Sequence, residues 1–258
     1  MQTVNTQTRQ KVSPTLELYQ ALDRAFGHFN DHIFEGQLPN CLISIRSGNR
    51  VQGYHQSERF ISSAGDIIGE IGLHPSHFAL QPVEIALSTL VHEMVHLWQN
   101  QFGKPTRTNP HNPQWAAKMR EIGLHPSHTG LPGGRQTGRS MSDYILPGGT
   151  YWTVCKDLLA QGYALPWMDR HMPVQMQAVQ GQAQALKDAG IVLDLSPPPT
   201  ASLSEALAPN PAFIDPPARR KAPKRLRYVC PSCSARAWAD PNAALMCATC
   251  ETDFLNTF

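Results

Sequence analysis

The sequence predicts an α+β fold, with a few helices on a small, mostly antiparallel sheet and a separate small module near the C-terminal end. Apolar residues recur at helical spacing in two long segments. Short isoleucine-rich segments between them alternate apolar and polar residues, as half-buried strands do. Four cysteines in two CxxC pairs near the C-terminal end indicate a metal-binding module rather than part of the main core.

The elements can be placed in order from these patterns and from the residues that break them. Pro82 suits the first turn of a helix, and Gly103 suits its end. The predicted elements are a helix over 16–34, a strand at 41–48, extended segments near 59–65 and 66–74, helices over 83–102 and 113–122, a glycine-rich loop over 123–149, and helices over 150–160 and 172–189.

Composition divides the chain into five parts. Seven of the 22 prolines fall within 195–217, which is typical of a linker. The predicted parts are a polar tail (1–13), a main domain (14–160), a helical extension (161–194), a proline-rich and then basic linker (195–227) and a cysteine module (228–258).

Charge and hydropathy limit the class of protein. The net charge is only +2, so affinity for nucleic acid has to come from a local patch. The first residues lack the apolar core of a signal peptide, and no segment approaches the roughly 18 apolar residues of a membrane helix. We therefore expect a cytoplasmic protein, with nucleoid association as a further expectation.

The segment HEMVH, 92–96, predicts a catalytic metal site. His92 and His96 are four residues apart on a predicted helix, so both imidazoles face the same side and can share a zinc ion. Glu93 stands where HExxH enzymes hold the general base. The alternative is a helix with two satisfied histidines, but burying them with a glutamate in an apolar helix is costly without a partner.

A catalytic zinc usually takes a third protein ligand from elsewhere in the chain. The metzincin pattern is excluded, because Gln99 and Phe102 stand where it needs glycine and histidine. His111 and Glu121 are the remaining candidates. We favour His111, which precedes a helix in a turn fixed by two prolines.

Three segments resemble the SprT-like zinc metalloproteases, the family to which Spartan belongs: FNDHIFEGQLP, LSTLVHEMVHLWQ and HNPQWAAKM. The resemblance covers about 16–160. It implies a zincin-like metalloprotease domain, zinc ligands His92, His96 and His111, Glu93 as the catalytic residue, and cleavage of DNA-associated or DNA-crosslinked proteins. The chain is similar to a bacterial type with a C-terminal zinc ribbon, and the loop at 130–149 looks like an elaboration of that type.

The cysteine module is the most specific signal in the chain. Its CxxC pairs are separated by thirteen residues, as in a closed structural zinc site. A module of about 31 residues is too small to fold on its core alone, so zinc supplies much of its stability. Rubredoxin-like iron is the rival metal. The predicted ligands are Cys230, Cys233, Cys247 and Cys250, while Cys41 and Cys155 are expected to be small buried residues.

A basic run directly before this module predicts binding to DNA, single-stranded or damaged. Six positive residues in nine positions can contact phosphates without regard to sequence. They are Arg219, Arg220, Lys221, Lys224, Arg225 and Arg227. Tyr228 and Trp238 can stack on unpaired bases, although one of them is expected to pack the small core. The alternatives are a solvated linker and, for the whole chain, a nucleic-acid- or transcription-associated zinc protein whose protease-like domain is inactive.

Two remaining motifs are interpreted as local structure. The heptapeptide IGLHPSH occurs at 71–77, after a predicted strand, and at 122–128, after a predicted helix, so we expect two HPSH turns and no structural repeat. A second metal site from His74, His77, His125 and His128 lacks a completing ligand. The segment GGRQTGRS, 133–140, resembles a phosphate loop but has no preceding strand, so we expect a flexible loop, with a lid as an alternative.

Overall fold

A computed structural model describes residues 12–46, 52–75, 78, 81–108, 110–168, 184–197, 226–240 and 243–256. The chain divides into two compact units, 1–209 and 210–258. The first unit combines helices with small sheets, which confirms the predicted α+β class, and the described elements of the second unit are short strands. The finer domain boundaries stay predictions.

The first unit contains four named helices and five strands among its described residues. In chain order they are α1 (Pro14–Ile33), β1 (Cys41–Ile45), β2 (Gly53–Ile61), β3 (Ile67–Leu73), α2 (Val83–Phe102), α3 (Pro113–Glu121), β4 (Leu124–Ser127), β5 (Ser142–Ile145) and α4 (Thr150–Ala160). Of the helix predicted at 172–189, residues 184–188 are helical and 172–183 lie outside the described residues.

The helices begin where side chains satisfy their first amide groups. Ser13 caps α1, accepting a hydrogen bond from the amide of Leu16, and Pro14 follows it. Asn112 caps α3, accepting from the amides of Gln114 and Trp115 at 3.1 Å. These caps place His111 at a fixed point directly before α3.

The first unit's main sheet has the strand order β1-β3-β2. Strands β2 and β3 form an antiparallel hairpin, whereas β1 pairs with β3 in parallel. The prediction of a mostly antiparallel sheet is therefore wrong for this sheet. Alternating apolar residues show which face of a strand is buried, but they carry no information about its direction. Strand β2 is an edge strand and begins at Gly53, before the predicted segment.

Helix α2 lies at the centre of the first unit. It contacts β2, β3, α1, α3 and α4. Its residues Leu90, Val91, Met94 and Val95 are fully buried. Truncating one such leucine to alanine typically costs about 2–5 kcal/mol. The HEMVH segment, 92–96, therefore lies on a helix that is packed against neighbouring elements on several sides.

The glycine-rich region 123–149 contains a short hairpin instead of an unbroken loop. Strands β4 and β5 pair antiparallel, with Pro126 opposite Asp143. Residues 125–127 of the second HPSH segment thus belong to a strand, so the predicted turn is wrong for them, and His128 lies in a turn. A two-stranded ladder tolerates a proline because the missing N–H can face away from the partner strand. The first copy follows β3 directly, and Ser76 and His77 lie outside the described residues.

The second unit contains small antiparallel sheets. They are formed by β6 (Leu226–Val229), β7 (Arg236–Ala239) and β10 (Leu255–Asn256), in the order β10-β6-β7, and by β8 (Met246–Cys247) with β9 (Thr252–Asp253). Tyr228 is buried and donates a hydrogen bond to the carbonyl of Asp240 at 2.8 Å. Among the described helices of the chain, none has the length and apolar character needed to cross a membrane.

Candidate metal centre and active site

Three histidines converge at one point in the first unit. His92 and His96 project from the same side of α2, and His111 faces them from the turn before α3. The Nε2 atoms of His92 and His111 are 3.3 Å apart, and one nitrogen from each of the three rings lies within 4.8 Å of the others. All three rings pack against the buried Trp115, with centroids 4.5–5.4 Å away. This donor set and spacing suit a zinc ion.

The rings of His92 and His111 are oriented by hydrogen bonds that their Nδ1 atoms make with oxygen atoms of the chain. The Nδ1 of His92 lies 2.8 Å from Oδ1 of Asp143, and the Nδ1 of His111 lies 3.0 Å from the carbonyl oxygen of Gly138. A carbonyl oxygen can only accept, so His111 carries its proton on Nδ1 when neutral. The lone pair on Nε2 is then free for a metal.

The protonation of the cluster also favours metal binding. Burial, together with the neighbouring histidines, lowers the pKa of His96 and brings the pKa of His111 to about 4. Both rings are therefore neutral at pH 7, as metal ligands must be. Burial also lowers the pKa of His92, but the hydrogen bond to Asp143 and the charge of Glu93 outweigh it and raise the pKa above its usual value.

Glu93 is buried at the base of the cleft. Its side chain is removed from water, and burial raises its pKa to about 7. Gly53 of β2 lies directly over it: a Cβ atom at this position would stand 2.9 Å from Oε1 of Glu93. The absence of a side chain at Gly53 thus lets the edge strand approach the carboxylate.

The cleft around the histidines has a volume of about 790 Å³. Its walls come from β2, α2, the segment before α3 and the segment before β5. Four residues that could in principle stabilise an oxyanion, Tyr144, Tyr151, His125 and His128, are not among the described residues that line it. Tyr151 is buried and donates to the carbonyl of Glu84, and Tyr144 stacks on His125 with centroids 5.0 Å apart. His128 accepts a hydrogen bond from the amide of Arg135.

The structure brings His111, and not Glu121, to the histidine pair. Glu121 is the last residue of α3, is exposed, and pairs with Lys118 at 2.6 Å. Among the described histidines of the two heptapeptides, none belongs to a group of potential metal ligands. The second metal site considered for them has no support in the part of the chain that the structure describes.

We expect His111→Ala to remove the metal from this cluster and to abolish any activity that depends on it. Two remaining imidazoles on one helix hold zinc far more weakly than three, because the third ligand closes the coordination shell. Glu121→Ala is the matched control and should leave the metal content unchanged. The measurement is zinc per chain after gel filtration. Loss of zinc in Glu121→Ala with retention in His111→Ala would reverse the assignment.

The four predicted cysteines of the second unit also form one group. Their sulfur atoms lie within 4.8 Å of one another, with Cys233 and Cys247 3.7 Å apart. The residue after each CxxC pair adopts positive φ, at Ser234 (60°) and Glu251 (50°). The backbone amide of Cys233, aided by neighbouring thiols, lowers the pKa of Cys230 to about 7. These hydrogen bonds stabilise the thiolate of Cys230 relative to its thiol, and the thiolate is the form that binds metal.

The remaining predicted residues fall into two groups. Of the basic run, Arg227 is described: it lies exposed on β6, opposite Trp238 of β7. Trp238 is 59% exposed, whereas Tyr228 packs inside, so only the tryptophan stays a candidate for stacking on bases. The other basic residues, 219–221, 224 and 225, lie outside the described residues. Cys155 is fully buried and Cys41 is partly buried, as expected for residues of the core.

Sequence patterns missed three residues of the site. Asp143 and Gly138 lie in the region predicted as a loop, and Gly53 lies before the predicted second strand. No motif links them to the site, because the residues that they contact, His92, His111 and Glu93, lie 27 to 51 positions away in the chain. The one available signal was the SDYI segment, whose alternation fits a short strand.

Comparison with known proteins places the histidine site in a family. The SprT-like family model matches residues 22–134, a range that contains the three histidines and Glu93 and ends before Gly138. An uncharacterised protein in the mucB 3′ region of Salmonella typhimurium is 39% identical over 59 residues, which make up 22% of this chain and 80% of that protein. No solved structure matches the chain.

Proposed function

Because this chain belongs to the SprT-like family, we propose that its first unit is a zinc-dependent endopeptidase with a zincin-like fold. Membership by itself indicates a zinc metalloprotease-like domain. The finer proposal is supported by the convergence of three ring nitrogens, one from each histidine, beside the buried carboxylate of Glu93. His92, His96 and His111 would hold the metal.

The residues of the cleft have different roles in peptide hydrolysis. Zinc, when bound by His92, His96 and His111, would supply Lewis acidity, which lowers the pKa of water and polarises a carbonyl group. Glu93 takes the proton of the attacking water and passes it to the leaving nitrogen. A carboxyl group with a pKa of about 7 is suited to both steps near neutral pH. The edge strand β2 and the cleft around it receive the substrate chain.

Removing and restoring the metal tests this assignment. We expect a chelator to abolish cleavage of an unfolded protein substrate and stoichiometric zinc to restore it. Zinc that binds at the histidines without any cleavage of unfolded or DNA-bound proteins would support the second candidate, a binding protein with an inactive protease-like domain. Against that candidate stands the retention of Glu93, because a domain used only for binding has no need of the carboxylate.

We further propose that the second unit is a zinc ribbon that, with the basic run before it, holds the enzyme on DNA-associated or DNA-crosslinked proteins. Six cations in nine positions favour phosphate contacts, and the exposed Trp238 offers a face for an unpaired base. Tethering raises the local concentration of substrate, so a weak and unselective protease would act mainly where DNA holds its target.

Replacing Arg219, Arg220, Lys221 and Lys224 with alanine is expected to weaken binding of the full chain to single-stranded DNA. If each residue contacts one phosphate, the slope of log affinity against log salt falls by about 3, since a contact to single-stranded DNA contributes about 0.7. Fluorescence anisotropy across a salt series measures this slope. Lys104→Ala with Lys187→Ala, which removes charge from the first unit, is the control. An unchanged slope would refute the role of the basic run.

A further inference from the structure

The segment 135–143 contacts two of the three histidines from outside the metal cluster. At one end, Oδ1 of Asp143 lies at hydrogen-bond distance, 2.8 Å, from Nδ1 of His92. In its middle, the carbonyl of Gly138 accepts a hydrogen bond from Nδ1 of His111 at 3.0 Å. The amide of Gly138 donates a hydrogen bond to the carbonyl of His111 at 3.1 Å. This segment follows the part of the chain that matches the SprT-like family model.

We propose that segment 135–143 is a positioning element for the metal centre, which fixes the rings of His92 and His111 and thereby sets the affinity for zinc. The proposal rests on the zinc site proposed above. An imidazole that donates from Nδ1 to a carboxylate or a carbonyl is held in one tautomer and one orientation, and its Nε2 becomes a stronger donor to the metal. Asp143 and Gly138 do this for two rings through one short stretch of chain.

The second heptapeptide holds this segment in place. The amide of Arg135 donates to Nδ1 of His128 at 2.9 Å, and the amide of His128 donates to the carbonyl of Arg135 at the same distance. The side-chain amide of Gln136 lies 3.1 Å from Nε2 of His125. His125 and His128 of the second copy therefore help to fix the segment that orients two of the histidines.

The two positions that contact the histidines, Asp143 and Gly138, are constrained differently. Asp143 is part of β5, and its side chain is 9% exposed, so water competes little for the bond to His92. Gly138 has φ +151°, which other residues rarely adopt, and a Cβ there would meet only ordinary contacts, the nearest at 3.7 Å. Adding a side chain at Gly138 thus changes the backbone conformation, and with it the carbonyl that holds His111, without a steric clash.

The test measures zinc affinity at the histidine site in the full chain. Native mass spectrometry over a chelator series resolves the loss of each zinc, and zinc at the cysteines serves as an internal reference. We expect Asp143→Ala and Gly138→Ala to weaken zinc binding at the histidines by about 10- to 100-fold. Asp143→Asn keeps an acceptor oxygen and should lose less. Gly133→Ala is the matched control, since Gly133 has φ +82° in the same region with no atom within 4 Å.

The outcomes separate this inference from the proposed function. Absence of zinc from the histidines of the unaltered chain would contradict the proposed zinc site itself. If Asp143→Ala and Gly138→Ala bind zinc at the histidines with the same affinity as the unaltered chain, the positioning role alone is overturned. A loss of affinity that Gly133→Ala reproduces, in step with a lower melting temperature of the metal-free chain, would also overturn it. A loss confined to residues 138 and 143, with partial rescue in Asp143→Asn, is the expected result.

Discussion

Replacing Glu93 with glutamine is expected to lower proteolysis by about 10²- to 10⁴-fold while zinc stays bound, which is the range that general-base catalysis contributes. Glutamine has the same size, so it fits under Gly53 as the carboxylate does. It cannot accept the proton of the attacking water. The three histidines keep their positions, since none of their orienting hydrogen bonds involves Glu93.

The measurement pairs kcat/KM on an unfolded protein with zinc content per chain. Glu121→Gln is the control, an exposed glutamate of α3 outside the cleft, and it should retain full activity. If Glu93→Gln cleaved at the rate of the unaltered chain, the carboxylate would have no role as the base. If it lost zinc as well as activity, Glu93 would be acting on the metal site rather than on the proton.

Removal of zinc from the four cysteines is expected to unfold residues 226–256. Strands of two to four residues and one buried tyrosine form too small a core to persist without metal. Zinc binding by modules of this size contributes about 10–16 kcal/mol at pH 7, which is more than their core supplies. The first unit has its own large core and should stay folded when these cysteines lose their metal.

Thiol alkylation followed by mass spectrometry measures this unfolding. In the zinc-loaded chain at pH 8 we expect almost no reaction, and after chelation we expect four cysteines to react. Cys41 and Cys155 provide the internal control, because burial raises the pKa of each thiol to about 12 and leaves about one molecule in 10⁴ as thiolate at pH 8. Reaction of the four ribbon cysteines at equal rates with and without zinc would contradict a structural metal site.

The sequence predicted the helices of the first unit for a local reason, and the residues predicted as metal ligands converge in the structure. Helix α2 carries its signals within its own span: Pro82 before it, Gly103 after it, and His92 and His96 one turn apart. The CxxC pairs are equally local. In each case the residues that determine the structure lie in the same element as those that carry the chemistry or directly beside it.

What the sequence could not show depends on long-range pairing. The parallel pairing of β1 with β3 joins residues 28 positions apart, such as Cys41 and Gly69, and alternation does not encode strand direction. Pro126 and the glycines favoured a loop at 123–149, yet pairing with β5 overrode this local preference. The same pairing carries Asp143 to His92, so the missed hairpin and the missed positioning residue have one cause.

Cleavage of a DNA-bound basic protein, with and without single-stranded DNA, distinguishes a DNA-tethered protease from a binding protein when the unaltered chain and Glu93→Gln are compared. We expect the unaltered chain to cleave only when DNA is present and Glu93→Gln never to cleave, although both hold zinc and bind DNA. If both proteins bind DNA and hold zinc at the histidines but neither cleaves, the account of a DNA-tethered metalloprotease is contradicted. The chain would then be a nucleic-acid-binding protein with an inactive protease-like domain.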